Sequence, residues 1–248
     1  KFFIMKKFFM LIAVAIGVVF GVQAQESGFG VRASMNLSTI NNKYDGKDGS
    51  RSDYEADFKN RVGFNIGLIY DYGFTENFYI QPGLYFTTRG GKIDETKMVD
   101  GEKWNLNYLQ LPILASYRFT LTDNIKLHIN AGPYVAVGLG GKMKFEADGE
   151  KYDIKAFGTS KGGDYDDEWD YYASGWDDED DYYDEEGSEK GGLKRFDAGL
   201  TLGAGVSVNK FYIGLSYDLG LANIAEKKEW PDMKIRNRNF SIGVGYNF

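Results

Sequence analysis

The sequence predicts an all-β fold: a single eight-stranded antiparallel transmembrane β-barrel that follows a cleaved signal peptide. Three observations carry this. Eight segments alternate apolar and polar residues with a period of two. The connections between those segments alternate between short and long. The first residues read as an export signal.

The strands, taken in order, each show one apolar and one mixed face. The first sets Phe29, Val31, Ala33, Met35 and Leu37 against Gly30, Arg32, Ser34 and Asn36. In the second, Val62, Phe64, Ile66, Leu68, Tyr70 and Tyr72 oppose Gly63, Asn65, Gly67 and Asp71. The third has Phe78, Ile80, Pro82, Leu84 and Phe86 on one side and Tyr79, Gln81, Gly83, Tyr85 and Arg89 on the other. The fourth places Leu109, Leu111, Ile113, Ala115, Tyr117 and Phe119 opposite Gln110, Ser116 and Arg118. Leu127, Ile129, Ala131, Val135, Val137 and Leu139 oppose Lys126, His128, Asn130, Gly132 and Tyr134 in the fifth. The sixth pairs Phe196, Ala198, Leu200, Leu202, Ala204 and Val206 with Asp197, Gly199, Thr201, Gly203 and Ser207. The seventh sets Phe211, Ile213, Leu215, Tyr217 and Leu219 against Tyr212, Gly214, Ser216 and Asp218. The last has Phe240, Ile242, Val244, Tyr246 and Phe248 against Asn239, Ser241, Gly243, Gly245 and Asn247. Each is near the roughly 9–11 residues a tilted strand needs to cross a bilayer.

Alternation alone fits two barrels: one with apolar residues facing lipid, and a soluble, lipocalin-like one with them inside. The mixed face decides for lipid. It gathers Arg32, Asp71, Arg89, Arg118, Lys126, Asp197 and Asp218 among many glycines, a poor exterior for a soluble protein but a workable polar lumen. The apolar face ends repeatedly in Tyr or Phe, where interfacial girdles lie. The links at residues 73–77, 120–124 and 209–210 are short, and those at 39–60, 90–103, 140–194 and 222–237 are long. Short periplasmic turns and long outer loops give this alternation, with both termini on the periplasmic side.

Lys6 and Lys7 precede an uncharged stretch, residues 8–22, that ends in Val22-Gln23-Ala24. This predicts a signal peptide over residues 1–24, cut after Ala24, with Met5 as the start and residues 1–4 as an upstream extension. The alternative is a retained anchor. The barrel domain then spans residues 25–248. Its last strand, Phe240, Ile242, Val244, Tyr246 and Phe248, has the alternating aromatic form that outer-membrane assembly machinery reads.

The net charge of −7 is local. Fourteen acids and no Lys or Arg lie within residues 164–189, which leaves 22 acids against 29 bases elsewhere. Nothing in that balance points to nucleic acid. Cysteine is absent, so disulfides play no part.

The segments GFGVRASMNLSTI, GFNIGLIYDYGFTENFYIQPGLYFTTRGGK and NYLQLPILASYRF, followed by AGPYVAVGLGGK, resemble the PorT-like outer-membrane β-barrel domain family. The resemblance covers residues 28–248 and is weakest over 140–194. It implies an eight-stranded barrel in the bacterial outer membrane, bathed in outer-membrane lipid and inserted by the barrel assembly machinery. The eponymous member takes part in protein secretion. The resemblance brings no catalytic residues.

Candidate chemistry is sparse. His128 is the sole histidine and lies on the polar face beside Lys126 and Asn130. It is either a general base or a hydrogen-bonded lumen residue, and no motif supplies a nucleophile. The charges Arg32, Asp71, Arg89, Arg118, Lys126, Asp197 and Asp218 are expected to pair inside the barrel. Eight strands leave room only for side chains, and unpaired buried charge costs several kcal/mol. The acidic stretch offers Asp164, Asp166, Asp167, Asp170, Asp177 and Asp178 as oxygen ligands for Ca²⁺, without EF-hand spacing. Otherwise it is a solvated loop or a surface for an extracellular or envelope protein partner. No cofactor is expected. The reading is a non-enzymatic barrel with interacting loops; its rivals are a secretion accessory and a barrel enzyme using His128.

Overall fold

A computed structural model describes residues 27–44, 58–93, 100–147, 150–158 and 190–248. The signal segment and the acidic residues 164–189 lie outside the described residues. The strands are β1 (Ser27–Tyr44), β2 (Arg61–Gly73), β3 (Phe78–Ile93), β4 (Asp100–Thr122) and β5 (Ile125–Ala147). They continue with β6 (Glu150–Phe157), β7 (Lys190–Leu193), β8 (Phe196–Val208), β9 (Phe211–Gly220) and β10 (Met233–Asn247).

Eight of them form a closed antiparallel ring, β1-β2-β3-β4-β5-β8-β9-β10, in which β10 pairs back to β1. Closure leaves these strands without an edge, the condition for crossing lipid. They are the eight the alternation predicts. One rim carries the three short turns, and there the backbone of Phe248 donates to Phe29 O at 2.9 Å and that of Asn247 to Lys210 O at 2.8 Å. Asn209 turns in the left-handed region, φ 54°, which asparagine tolerates. The described chain ends therefore share the turn rim; the opposite end is the loop rim.

The ring shows an apolar outer band. Phe29 is 60% exposed, Val244 58% and Phe211 68%, far too much for a protein immersed in water. The band starts at Phe240 and runs along β10 and on to Phe248. At about 3.3 Å per residue and about 45° of tilt this is roughly 20 Å of height, near the ~25 Å of an outer-membrane barrel.

Beyond the band the polarity inverts. On β4 the inward residues are Trp104, Leu106 and Tyr108, then Gln110, Ser116 and Arg118, all buried. The outward residues change with them, from Lys103, Asn105 and Asn107 to Leu109, Leu111, Ile113, Tyr117 and Phe119. The pleat does not slip; only the medium outside changes, from water to lipid. On β5 a bulge helps: pairing steps from Tyr108↔Gly138 to Asn107↔Gly140, and the extra residue moves the inward positions from Tyr134 and Ala136 to Met143.

The stretch 140–194, expected as one loop, instead begins with the outer part of β5 and contains β6 and β7. The loops expected at 39–60, 90–103 and 222–237 are also shortened by β1, β3, β4 and β10, which run past the apolar band. These extensions lack outward apolar faces because no acyl chain meets them. At the loop rim β6 pairs with β5, β7 with β6, and Leu193 with Ala225. The Ile224 backbone donates to Ile235 O of β10 at 2.9 Å. The wall between β5 and β10 thus continues above β8 and β9. It encloses an apolar cluster that includes Ile40, Trp104, Leu106, Met143, Phe157 and Ile235.

Candidate functional site

The lumen holds two charged clusters. Toward the loop rim, Arg89 Nη1 lies 3.1 Å from Asp197 Oδ2 and its Nη2 2.8 Å from Asp218 Oδ2. Arg89 also donates to Gln110 and packs over the Tyr134 ring, 4.9 Å from its centroid. Thr201 Oγ1 donates to Asp218 Oδ1 at 2.7 Å, and Asn237 and Asn239 donate to Asp197 and Asp218 at 3.0 and 3.3 Å. Arg89 is wholly buried, so these bonds replace its water. Six ring strands contribute one side chain or more.

Toward the turn rim, Arg118 Nη2 meets Asp71 Oδ2 at 2.6 Å and lies 3.7 Å over the Tyr79 ring. Gln81 Nε2 donates to Asp71 Oδ1 at 2.7 Å. Among the described residues Arg32 has no carboxylate partner; it stacks on Tyr212 at 4.4 Å and donates to Asn247 Oδ1 at 2.8 Å. His128 Nε2 and Ser207 Oγ are 2.8 Å apart, with the imidazole nearly perpendicular to the Tyr212 ring. Glycine makes room for that phenol: a Cβ on Gly205 or Gly214 would lie within 2.4 Å of Tyr212 Oη.

Between the clusters is a cavity of about 100 Å³ lined by Ser34, Asn65, Tyr85, Asn130 and Ser241, among others. Its polar lining and its size suit it to hold ordered water. Above the Arg89 cluster sits the apolar cluster of the loop rim, with Tyr108 and Tyr134 buried at the junction. Buried charge, paired across the barrel, thus lies beneath a cap of apolar side chains.

Of the residues singled out in the sequence, Arg89, Asp197 and Asp218 meet in one cluster and Arg118 and Asp71 in another. His128 and Arg32 both contact Tyr212, and the β4–β5 register sets His128 opposite Arg118. Lys126 lies nearer the turn, half-buried. The cavity lies between these two clusters. Asp164, Asp166, Asp167, Asp170, Asp177 and Asp178 lie outside the described residues. Among the described residues no three His, Cys, Asp or Glu side chains cluster as metal ligands. Sequence reasoning missed Ser207 as the partner of His128, and it missed the apolar cap. The cap does have a signal, because the order Trp104-Asn-Leu106-Asn-Tyr108 precedes Leu109 in the opposite phase.

A family model described as outer membrane protein beta-barrel domain matches residues 23–226. The chain belongs to the outer membrane protein beta-barrel domain family. No curated protein matches it. Among solved structures it is similar to Ail, the attachment invasion locus protein of Yersinia pestis, at 18% identity over 89% of this chain and 99% of that one, TM-score 0.40. It is also similar to OprG from Pseudomonas aeruginosa (12%, 92% and 99%, TM-score 0.45). A third is Neisserial surface protein A (13%, 90% and 100%, TM-score 0.41). In this outer-membrane barrel family the exposed band from Phe240 to Phe248 faces lipid, and the charged residues are enclosed.

Proposed function

We propose that this outer-membrane barrel is a sealed, non-catalytic protein that uses its loop rim to engage a partner outside the cell, with both termini in the periplasm. The observation that supports it is the Arg89–Asp197–Asp218 cluster beneath the apolar cap. Together they close the lumen and leave the extended β4–β5–β6 sheet as the accessible feature. The acidic residues 164–189 would add contacts to a basic partner or to Ca²⁺, and the aromatic alternation of β10 would serve barrel assembly. In planar bilayers the full-length protein should show no stepwise conductance; stable open channels would refute the sealed lumen. A tagged loop rim should capture a protein from intact envelopes, and that capture should be lost when residues 164–189 are removed.

A second reading rests on His128 and Ser207, whose separation suits general-base activation of a hydroxyl. Both are buried, and among the described residues no carboxylate hydrogen-bonds the other imidazole nitrogen. Ester hydrolysis by the purified barrel, lost in His128→Ala with native gel mobility, would favour it. The resemblance to PorT-like proteins supports a third reading, an accessory of secretion. Deleting the gene should then strand exported cargo in the periplasm.

A further inference from the structure

The outward face of β10 changes abruptly between Phe240 and Arg238. Below lie Ile242 and Val244, deep in the apolar band; above lie Arg238, Arg236 and Lys234, two residues apart on one face. The antiparallel register sets Thr39, Asn41 and Lys43 of β1 directly opposite those three. Four cations therefore share one patch, with Lys43 of β1 beside Lys234, Arg236 and Arg238 of β10.

The rest of the loop rim shows how cations are ordinarily satisfied here. Lys142 and Lys144 each lie 3.2 Å from Asp153. Arg195 donates to the carbonyls of Gly138 and Leu139 at 2.8 and 3.2 Å. By contrast, Lys43, Arg236 and Arg238 form no ion pair among the described residues. Among the described residues Arg238 Nη1 donates only to the phenol of Tyr217 at 3.2 Å, which places both at the boundary where aromatic and cationic side chains meet headgroups. Arg236 Nε is buried without a hydrogen bond; the other such buried atoms among the described residues all belong to inward-facing side chains.

We infer that the β10–β1 patch of Lys43, Arg236 and Arg238 binds the phosphate groups of a phosphorylated lipid in the leaflet at the loop rim. Guanidinium matches phosphate through paired N–H donors. The patch begins one residue pair above the apolar band, at the depth where a headgroup phosphate lies while its acyl chains cover Phe240 and Ile242. The leaflet is the outer one only if the loop rim faces outside, so this assignment rests on the orientation proposed above.

The test uses the full-length barrel in phosphatidylcholine nanodiscs doped with diphosphoryl lipid A or with the same lipid stripped of phosphate. The wild type should retain the phosphorylated lipid at least about fivefold more than its dephosphorylated form, since each surface cation contributes roughly 1 kcal/mol toward an anionic surface. The variant Lys43→Gln/Arg236→Gln/Arg238→Gln should lose that preference, and Lys142→Gln/Lys144→Gln should keep it, both with heat-modifiable gel mobility intact. No preference in the wild type, an undiminished preference in the triple variant, or an equal loss in the Lys142/Lys144 control would overturn the assignment. Binding of soluble polyphosphate without discrimination between the lipids would do the same. Orientation is read separately, by labelling Lys228→Cys in intact cells with an impermeant maleimide. Protection there would overturn the outward loop rim while leaving the nanodisc result to stand or fall alone.

Discussion

Arg89 Nη2 and Asp218 Oδ2 meet 2.8 Å apart across the lumen, although 129 residues separate them in the chain. The contact joins β3 to β9, opposite parts of the ring, and Asp197 on β8 shares the same guanidinium. One cation therefore holds two carboxylates out of water.

Arg89→Met should destabilise the barrel by about 3–5 kcal/mol, because it strands two buried carboxylates rather than removing a pair. Urea unfolding in detergent micelles measures this. Adding Asp197→Asn and Asp218→Asn should return a large part of the loss; a triple variant as weak as the single one would show that packing, not charge, dominates.

Val244→Lys places a charge at the middle of the apolar band, on a side chain 58% exposed. A cost of about 2–4 kcal/mol is expected where that face meets acyl chains. The folded fraction in lipid vesicles, read by heat-modifiable mobility, checks it. A neutral result would mean that this face is wet.

Gly199→Val should block folding. A Cβ there would lie 2.1 Å from Leu219 O and 2.8 Å from the Tyr134 ring, and the backbone oxygen cannot move without breaking the β8–β9 ladder. Gly140→Ala, with no atom within 4 Å of the new Cβ, is the matched control and should fold normally.

Hydrogen bonds from Lys142 and Lys144 hold the Asp153 carboxyl below its usual range. A depressed folded value means the interaction is fully present above the unfolded carboxylate pKa of about 3.9 and is lost as pH falls through the lower folded one. The β5–β6 hairpin amides should therefore lose NMR dispersion only in that acidic window. Asp153→Asn should flatten the dependence; an unchanged profile would show that the lysines do not hold the carboxylate.

Much of the ring was legible because lipid imposes a two-residue rhythm on any strand that crosses it. Val62 through Leu68 and Phe240 through Phe248 announce themselves by alternation. The strand extensions were not legible by that rule, since Lys142, Met143 and Lys144 follow the opposite phase in water. The His128–Ser207 contact was equally hidden, because 79 residues separate the two and only the β5–β8 register brings them together.

By itself the sequence determined an eight-stranded barrel with apolar residues outside and charged ones within, because side-chain period and solvent preference are local properties of the chain. Which charges meet was decided only by the tertiary structure. Closure of the ring sets the stagger between strands, and the stagger places Arg89 against Asp197 and Asp218 while leaving Arg32 to Tyr212. The same closure turned Trp104 and Leu106 into a cap over the lumen, since a strand that leaves the membrane keeps its pleat but changes the medium it faces.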